Sequence, residues 1–138
     1  MNGYLLDTPI VTAYLRGRPG AVSLIAPWMS QRQAATSIIV YGECTEYLRG
    51  FPQPQQWQTS LRALLRQLRT YDLTYAILER YADVRRAMRT PYGPGLIGDM
   101  DTLIAATAFV YDLTVVTLDS DYTRVPGLSC LRLQRSAL

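Results

Sequence analysis

The chain contains no histidine. That absence removes imidazole as a general acid or base, closes off Ser-His-Asp and Cys-His nucleophilic systems, and excludes ordinary His-ligated zinc sites. Lysine is absent as well, so P-loop phosphate binding and Schiff-base chemistry lose their usual residue. The two cysteines, Cys44 and Cys130, lie far apart with no CxxC or metal-ligand spacing. They read as buried thiols rather than as a disulfide. No apolar run reaches the ~18 residues of a membrane span. The N-terminus has no basic segment ahead of a long apolar stretch, so we expect no signal peptide and a cytoplasmic location.

What is present fits one domain over residues 1–138, and an apolar fraction of 49% is enough for a real core. Every positive side chain is arginine, 14 in all. Arginine offers a planar fork for phosphate and stacks on bases, although arginine in place of lysine is also a simple compositional bias. The net charge of +3 is mild, but its distribution is uneven. Seven of the 11 acids fall in four short segments: Asp7; Glu43 and Glu46; Asp99 and Asp101; Asp119 and Asp121. The remaining residues carry the 14 arginines against only four acids. If the four segments meet in space, the protein is a basic body with one acidic pit, suited to a polyanion held over a divalent metal.

Short buried strands alternate with helices along the chain. Strands are expected at Tyr4–Leu6, Thr36–Val40, Tyr71–Leu73, Leu113–Thr117 and Leu128–Leu133. Helices are expected at 8–15 (opened by Thr8-Pro9), 21–29, 41–49, 54–68, 74–89 and 99–111. Val22, Leu24, Ile25 and Trp28 form the expected apolar side of the second helix. Ile77, Leu78, Tyr81, Val84 and Met88 do so in the helix over 74–89. Residues 119–124 read as a turn or short helix, and the Pro/Gly loop at 90–95 as the one mobile insertion. Such alternation predicts an α/β domain with a mostly parallel sheet.

In an open parallel sheet, ligands bind outside the carboxyl ends of the strands. Asp7 ends the first strand, Asp119 follows the fourth, and Glu43 sits about one turn into the helix after the second. Asp99 or Asp101, opening a helix, could add a fourth carboxylate. Each acid also has a plainer role open to it. Asp7 could be only a helix cap, one of Asp99 and Asp101 a cap and the other a ligand, Glu46 a partner for Arg49, and Asp121 a turn cap. Arg124 could pair with any of them. The coincidence of all four segments at one expected edge is what these roles leave unexplained. Clustered carboxylates repel one another, and a hard divalent cation relieves that repulsion.

Four stretches carry a resemblance: Tyr4-Leu5-Leu6-Asp7-Thr8, Thr36-Ser37-Ile38-Ile39-Val40-Tyr41-Gly42-Glu43, Asp101-Thr102-Leu103-Ile104-Ala105-Ala106, and Val116-Thr117-Leu118-Asp119-Ser120-Asp121-Tyr122 running on to Val125-Pro126-Gly127-Leu128. In order and spacing the chain resembles the PIN-domain family, and within it the toxin ribonucleases of toxin–antitoxin pairs. The resemblance implies a three-layer α/β/α fold around a short, mostly parallel sheet. It implies an endoribonuclease whose metal-holding, catalytic acids are Asp7, Glu43, Asp101 and Asp119. Asp121 would be an outer or second-metal residue, and Thr117 a hydroxyl that orients an acid or water. Glu46 and Asp99 are auxiliary candidates, and Glu46 stands where many relatives carry an apolar residue. Mg²⁺ or Mn²⁺ would activate a water that attacks the scissile phosphorus, leaving a 5′-phosphate and a 3′-hydroxyl. The implied partners are RNA, a cognate antitoxin and a second copy of the chain. Helices 8–15, 21–29 and 54–68, with Tyr14, Trp28 and Trp57, would form the antitoxin groove.

Three other readings compete. A haloacid-dehalogenase-type phosphatase also places Asp at strand ends, but it wants a second Asp two residues on and a downstream lysine; neither occurs here. A non-catalytic PIN-like module that only holds RNA or protein would be expected to have lost one or more of the acids. A housekeeping RNA-processing PIN nuclease would keep the acids and lack the antitoxin.

Overall fold

A computed structural model describes residues 3–138; Met1 and Asn2 lie outside the described residues. The chain runs β1 (Tyr4–Leu6), α1 (Thr8–Leu15), α2 (Pro19–Ser30), β2 (Ala34–Ser37), α3 (Ile38–Leu48), α4 (Pro54–Gln67), β3 (Arg69–Tyr71), α5 (Tyr75–Met88), α6 (Asp99–Tyr111), β4 (Thr114–Thr117) and β5 (Cys130–Arg132). Short 3₁₀ turns occupy Ser120–Arg124 and Arg135–Ala137. The five strands form one parallel sheet in the order β3-β2-β1-β4-β5. The helices complete a three-layer α/β/α arrangement.

Sheet order follows from burial. Leu5 and Leu6 of β1 and Val115 and Val116 of β4 are fully enclosed, as central parallel strands covered on both faces must be. From β1 the chain steps outward through β2 to β3 and then returns, by way of α5 and α6, to lay β4 on the other side of β1. The winding therefore reverses between β1 and β4. In such sheets this is where a crevice opens at the carboxyl ends of the strands. The Asp7 N–H donates to the Val116 carbonyl at 3.0 Å, which carries the pairing to the edge where the acids stand.

Element types match the sequence reading, but several boundaries do not. The second strand is Ala34–Ser37 rather than 36–40. Ser37 has extended backbone, and its Oγ accepts the Ile39 N–H at 3.1 Å, capping α3. The β-branched run Ile38-Ile39-Val40 thus enters a helix despite its strand propensity, with Val40 buried. β3 lies at Arg69–Tyr71 rather than 71–73, pairing with Ala35–Ser37, and Leu73 falls outside it on the surface. α2 begins at Pro19, earlier than expected, and Val22 and Leu78 are exposed rather than inward. The 90–95 loop is tied back to α5: the Gly95 N–H donates to the Met88 carbonyl at 2.7 Å. A Cβ on Gly93 would meet the Ala87 carbonyl oxygen at 2.1 Å, so only glycine fits that approach.

Both cysteines are free. Burial, with Glu43 and Asp7 nearby, pushes the Cys44 thiol up to about 12, so it is an inert core group. The prominent aromatics are largely occupied: Trp28 stacks on Tyr4 with ring centres 3.8 Å apart, and Trp57 meets Phe51 edge-on.

Candidate active site

At the carboxyl edge of β1 and β4, one hollow is lined by Asp7, Thr8, Glu43, Asp101, Asp119 and Arg135. The four acids come from the end of β1, from α3, from the first turn of α6 and from the residue two past β4. Asp101, Asp119 and Asp121 each present an oxygen within 4.8 Å of the others. Asp101 and Asp119 are common to both groupings.

Glu43, Asp101 and Asp119 each have one oxygen held and another left open, while Asp7 is held at both. Thr117 Oγ1 donates to Asp7 Oδ2 at 2.6 Å, and Thr8 Oγ1 donates to Glu43 Oε1 at 2.6 Å. The Tyr122 hydroxyl donates to Asp101 Oδ1 at 3.0 Å and makes a longer contact of 3.5 Å with Asp7 Oδ1. Asp119 Oδ1 accepts the Asp121 N–H at 2.9 Å, and the Asp119 N–H donates to Thr117 Oγ1 at 3.0 Å. Asp119 therefore caps the 3₁₀ turn that carries Asp121 and Tyr122. The remaining oxygens, Glu43 Oε2, Asp101 Oδ2 and Asp119 Oδ2, have no protein partner among the described residues. Asp7 is held at both oxygens, Oδ2 by Thr117 and Oδ1 by the long Tyr122 contact, and its carboxylate also accepts the Thr8 backbone N–H.

The electrostatics match that geometry. Asp7 is 5% exposed. Burial raises its carboxyl from 3.8 to about 6, against the opposing hydrogen bonds from Thr117 and the Thr8 backbone; Asp101 and Glu43 raise it further. Asp101 is raised in the same way, first by burial, with Tyr122 opposing and with Asp119, Glu43 and Asp121 adding to the rise. Burial and the surrounding acids hold the Tyr122 phenol well above its ordinary value, so it remains a neutral donor. A cluster of oxygen donors, short of positive charge and partly enclosed, fits a hard divalent cation better than a thiophilic or imidazole-seeking metal.

The other sequence candidates fall elsewhere. The Asp99 carboxylate is turned to α5, paired with Arg85 at 2.6 Å and accepting the Tyr81 hydroxyl at 3.0 Å. It does not line the hollow, and the N-cap of α6 is Gly98. Glu46 is exposed and borders a neighbouring hollow with Ile38, Ile39, Gly42, Glu43 and Met100. Arg49 bonds Gln58 rather than Glu46, and Arg124 donates to the Gly95 and Leu96 carbonyls rather than to an acid. Three contributors escaped the sequence reading. Thr8 and Tyr122 stand inside the quoted stretches and could have been found from their places beside Asp7 and Asp121. Arg135 follows no recognisable pattern; only the fold brings it to the acids.

The model of the PIN domain matches residues 4–128. The chain belongs to the PIN-domain family. It is 30% identical over 115 residues to a protein named Ribonuclease VapC10 from Mycobacterium tuberculosis, covering 83% of this chain and 81% of that one. Among PIN-fold structures, VapBC2 from Rickettsia felis bound to a promoter DNA fragment superposes with a TM-score of 0.81 at 24% identity, covering 94% of this chain and 97% of the other. A toxin–antitoxin complex from Klebsiella pneumoniae gives a TM-score of 0.73 at 22% identity, covering 95% and 100%. At those identities the two structures bear on the fold alone. Membership sets aside the haloacid-dehalogenase reading. No helix among the described residues is long and apolar enough to cross a membrane.

Proposed function

We propose that this PIN domain is a metal-dependent endoribonuclease, the toxin of a toxin–antitoxin pair acting in the cytoplasm. The observation that carries the reading is the convergence of Asp7, Glu43, Asp101 and Asp119, from four separate segments, on one hollow at the point where the sheet reverses. The named ribonuclease relative supports RNA as substrate, and the antitoxin partner rests on the resemblance of the four motif stretches to toxin ribonucleases. A non-catalytic module has no need for four converging acids, three of them held by one oxygen and open at the other. A homodimer is also part of the proposal, supported by the exposed apolar side chains Ile38, Tyr75, Leu78 and Met100.

Asp7, Glu43, Asp101 and Asp119 would hold Mg²⁺ or Mn²⁺, with Asp121 an additional or outer carboxylate. When bound, such an ion stabilises charge on phosphoryl oxygens and lowers the pKa of water. The rest of the work falls to the chain. Thr117, Thr8 and Tyr122 fix Asp7, Glu43 and Asp101, and the Asp121 N–H fixes Asp119, so the acids lining the hollow are oriented in advance. Arg135, on the rim of the same hollow, supplies a guanidinium for a non-bridging phosphate oxygen. With neither histidine nor lysine in the chain, protons are exchanged through water and the carboxylates.

The direct test is cleavage of RNA by the purified chain with Mg²⁺ or Mn²⁺ and with EDTA. Cutting should require the metal and return when it is restored in excess. RNA binding without cutting under any metal would favour the non-catalytic module. Separately, expression alone in a bacterium should arrest growth; normal growth with abundant active enzyme would favour a housekeeping nuclease.

A further inference from the structure

A second polar site lies on the other side of α3 from Glu43. A hollow of about 540 Å³ between α3 and α4 is lined by Arg49, Pro54, Gln55, Gln58, Thr59 and Arg62, with no carboxylate among them. Gln58 is buried, 5% exposed, and organises the site. Its Oε1 accepts from Arg49 Nη1 at 3.1 Å, and its Nε2 donates to the Tyr41 hydroxyl at 2.8 Å and to Thr45 Oγ1 at 2.9 Å. Arg62 Nε donates to the same Tyr41 oxygen at 3.2 Å. One buried amide thus tethers one guanidinium directly and the other through a phenol.

Neither Arg49 nor Arg62 has an acidic partner among the described residues. Each has one N–H engaged in the network, leaving most of its five donors open. The Tyr41 oxygen receives two donors and keeps its own proton to give. Two pre-oriented guanidinium forks beside a hydroxyl donor form an anion site, and forks of this kind match the oxygens of a phosphodiester.

A series of neighbouring surface hollows, each sharing a lining residue with the next, leads from this one to the acidic site. Arg62 and Tyr41 border a shallower hollow with Ile38, Leu65 and Arg66. Ile38 in turn shares a hollow with Glu43, which lines the acidic site. We propose that the Arg49–Gln58–Arg62 hollow binds a backbone phosphate of single-stranded RNA on one flank of the cleavage point. The inference rests on the ribonuclease reading and extends it to substrate positioning. Phosphate contacts of this kind set register and affinity without reading bases.

The test is fluorescence anisotropy with a labelled single-stranded RNA oligonucleotide of mixed sequence and the full chain in EDTA, where binding is read without cutting. Arg49→Ala and Arg62→Ala should each weaken binding by about 10-fold, the range expected for a lost charge-assisted hydrogen bond. Each should also flatten the salt dependence by about 0.7, one phosphate contact on a single strand. Arg86→Ala, on α5, should do neither. Arg49→Lys and Arg62→Lys should keep the salt slope yet bind more weakly than the parent, and they keep the test open if the alanine variants fold poorly.

Unchanged affinity in the Arg49 and Arg62 variants, with normal binding by the parent, overturns the inference alone and would fit a site for an acidic protein segment. Equal losses at Arg86 overturn it in favour of diffuse charge. Lysine variants that bind as tightly as the parent overturn the fork geometry. No RNA binding by the parent overturns the ribonuclease reading itself.

Discussion

Thr117 Oγ1 lies 2.6 Å from Asp7 Oδ2 although the two residues are 110 positions apart. The contact spans the β1/β4 boundary and orients a buried carboxylate through its shortest hydrogen bond. Thr117→Val keeps the shape and removes the donor. We expect metal affinity, read by Mn²⁺ titration calorimetry, to fall by about 10–100-fold, the usual effect of losing a group that orients a ligand. Thr117→Ser should recover most of it. Equal affinities for all three proteins would remove this hydroxyl from the metal's support.

Tyr122 is fully buried and joins Asp101 to Asp7 through one hydroxyl. Tyr122→Phe should cost stability by about 1–2 kcal/mol, since the ring still fills its space while one hydrogen bond to a charged group is lost. Its Mn²⁺ affinity should also drop. Tyr122→Leu should lose more stability by leaving a cavity. Thermal melts in EDTA and in Mn²⁺ separate the two effects: a Phe variant that melts like the parent in both would show the hydroxyl to be idle.

Asp7 gives a sign-determined pH dependence. Its carboxyl titrates at about 6 in the fold against 3.8 as an ordinary acid. The folded state therefore holds the proton more tightly. The resulting penalty is absent below the ordinary value, grows between the two, and is complete above about 6, reaching up to about 3 kcal/mol. In EDTA the parent should melt lower at pH 7.5 than Asp7→Asn does, and the gap should shrink to about half by pH 5 and close only as the pH falls below the ordinary value of 3.8. Saturating Mn²⁺ should stabilise the parent most at the higher pH, where the proton no longer competes. A gap that widens on acidification would reverse the assigned cause.

Gly20 controls the segment that delivers Arg135. A Cβ there would meet the Ala137 carbonyl oxygen at 2.0 Å and the Leu138 carbonyl carbon at 2.7 Å, while Leu138 itself is buried in the core. Backbone cannot yield as a side-chain tip can, so Gly20→Ala should displace the turn at Arg135–Ala137 and cost about 1–3 kcal/mol. Cleavage should fall in parallel with that of Arg135→Ala, and Mn²⁺ affinity should hold in both. Full activity in Gly20→Ala would separate the tail from the site.

Much of this was legible before the fold was known. Leu5-Leu6-Asp7 and Val115-Val116-Thr117 announce strands by unbroken burial, and the acids after them fall where a parallel sheet opens. Boundaries were harder. At Ser37 a single cap hydrogen bond overrides the strand preference of Ile38, Ile39 and Val40, and a window of propensities does not register a cap. Asp99 and Asp101 sit two apart in one helical turn, and no local rule tells which of them meets Arg85. The pairing depends on how α5 lies against α6. Arg135 was invisible because its role depends on Gly20 and Leu138 holding a turn whose own sequence, Arg-Ser-Ala, signals nothing.

The most direct measurement is the RNA cleavage rate of Asp119→Asn beside the parent, both folded and both saturated with Mn²⁺. Asp119 contributes an oxygen to both acidic groupings and caps the turn that carries Asp121 and Tyr122. The account predicts loss of most of the cleavage in Asp119→Asn, with RNA binding in EDTA unchanged. Cleavage at the parent's rate would contradict the central claim that these carboxylates hold the metal that cuts RNA.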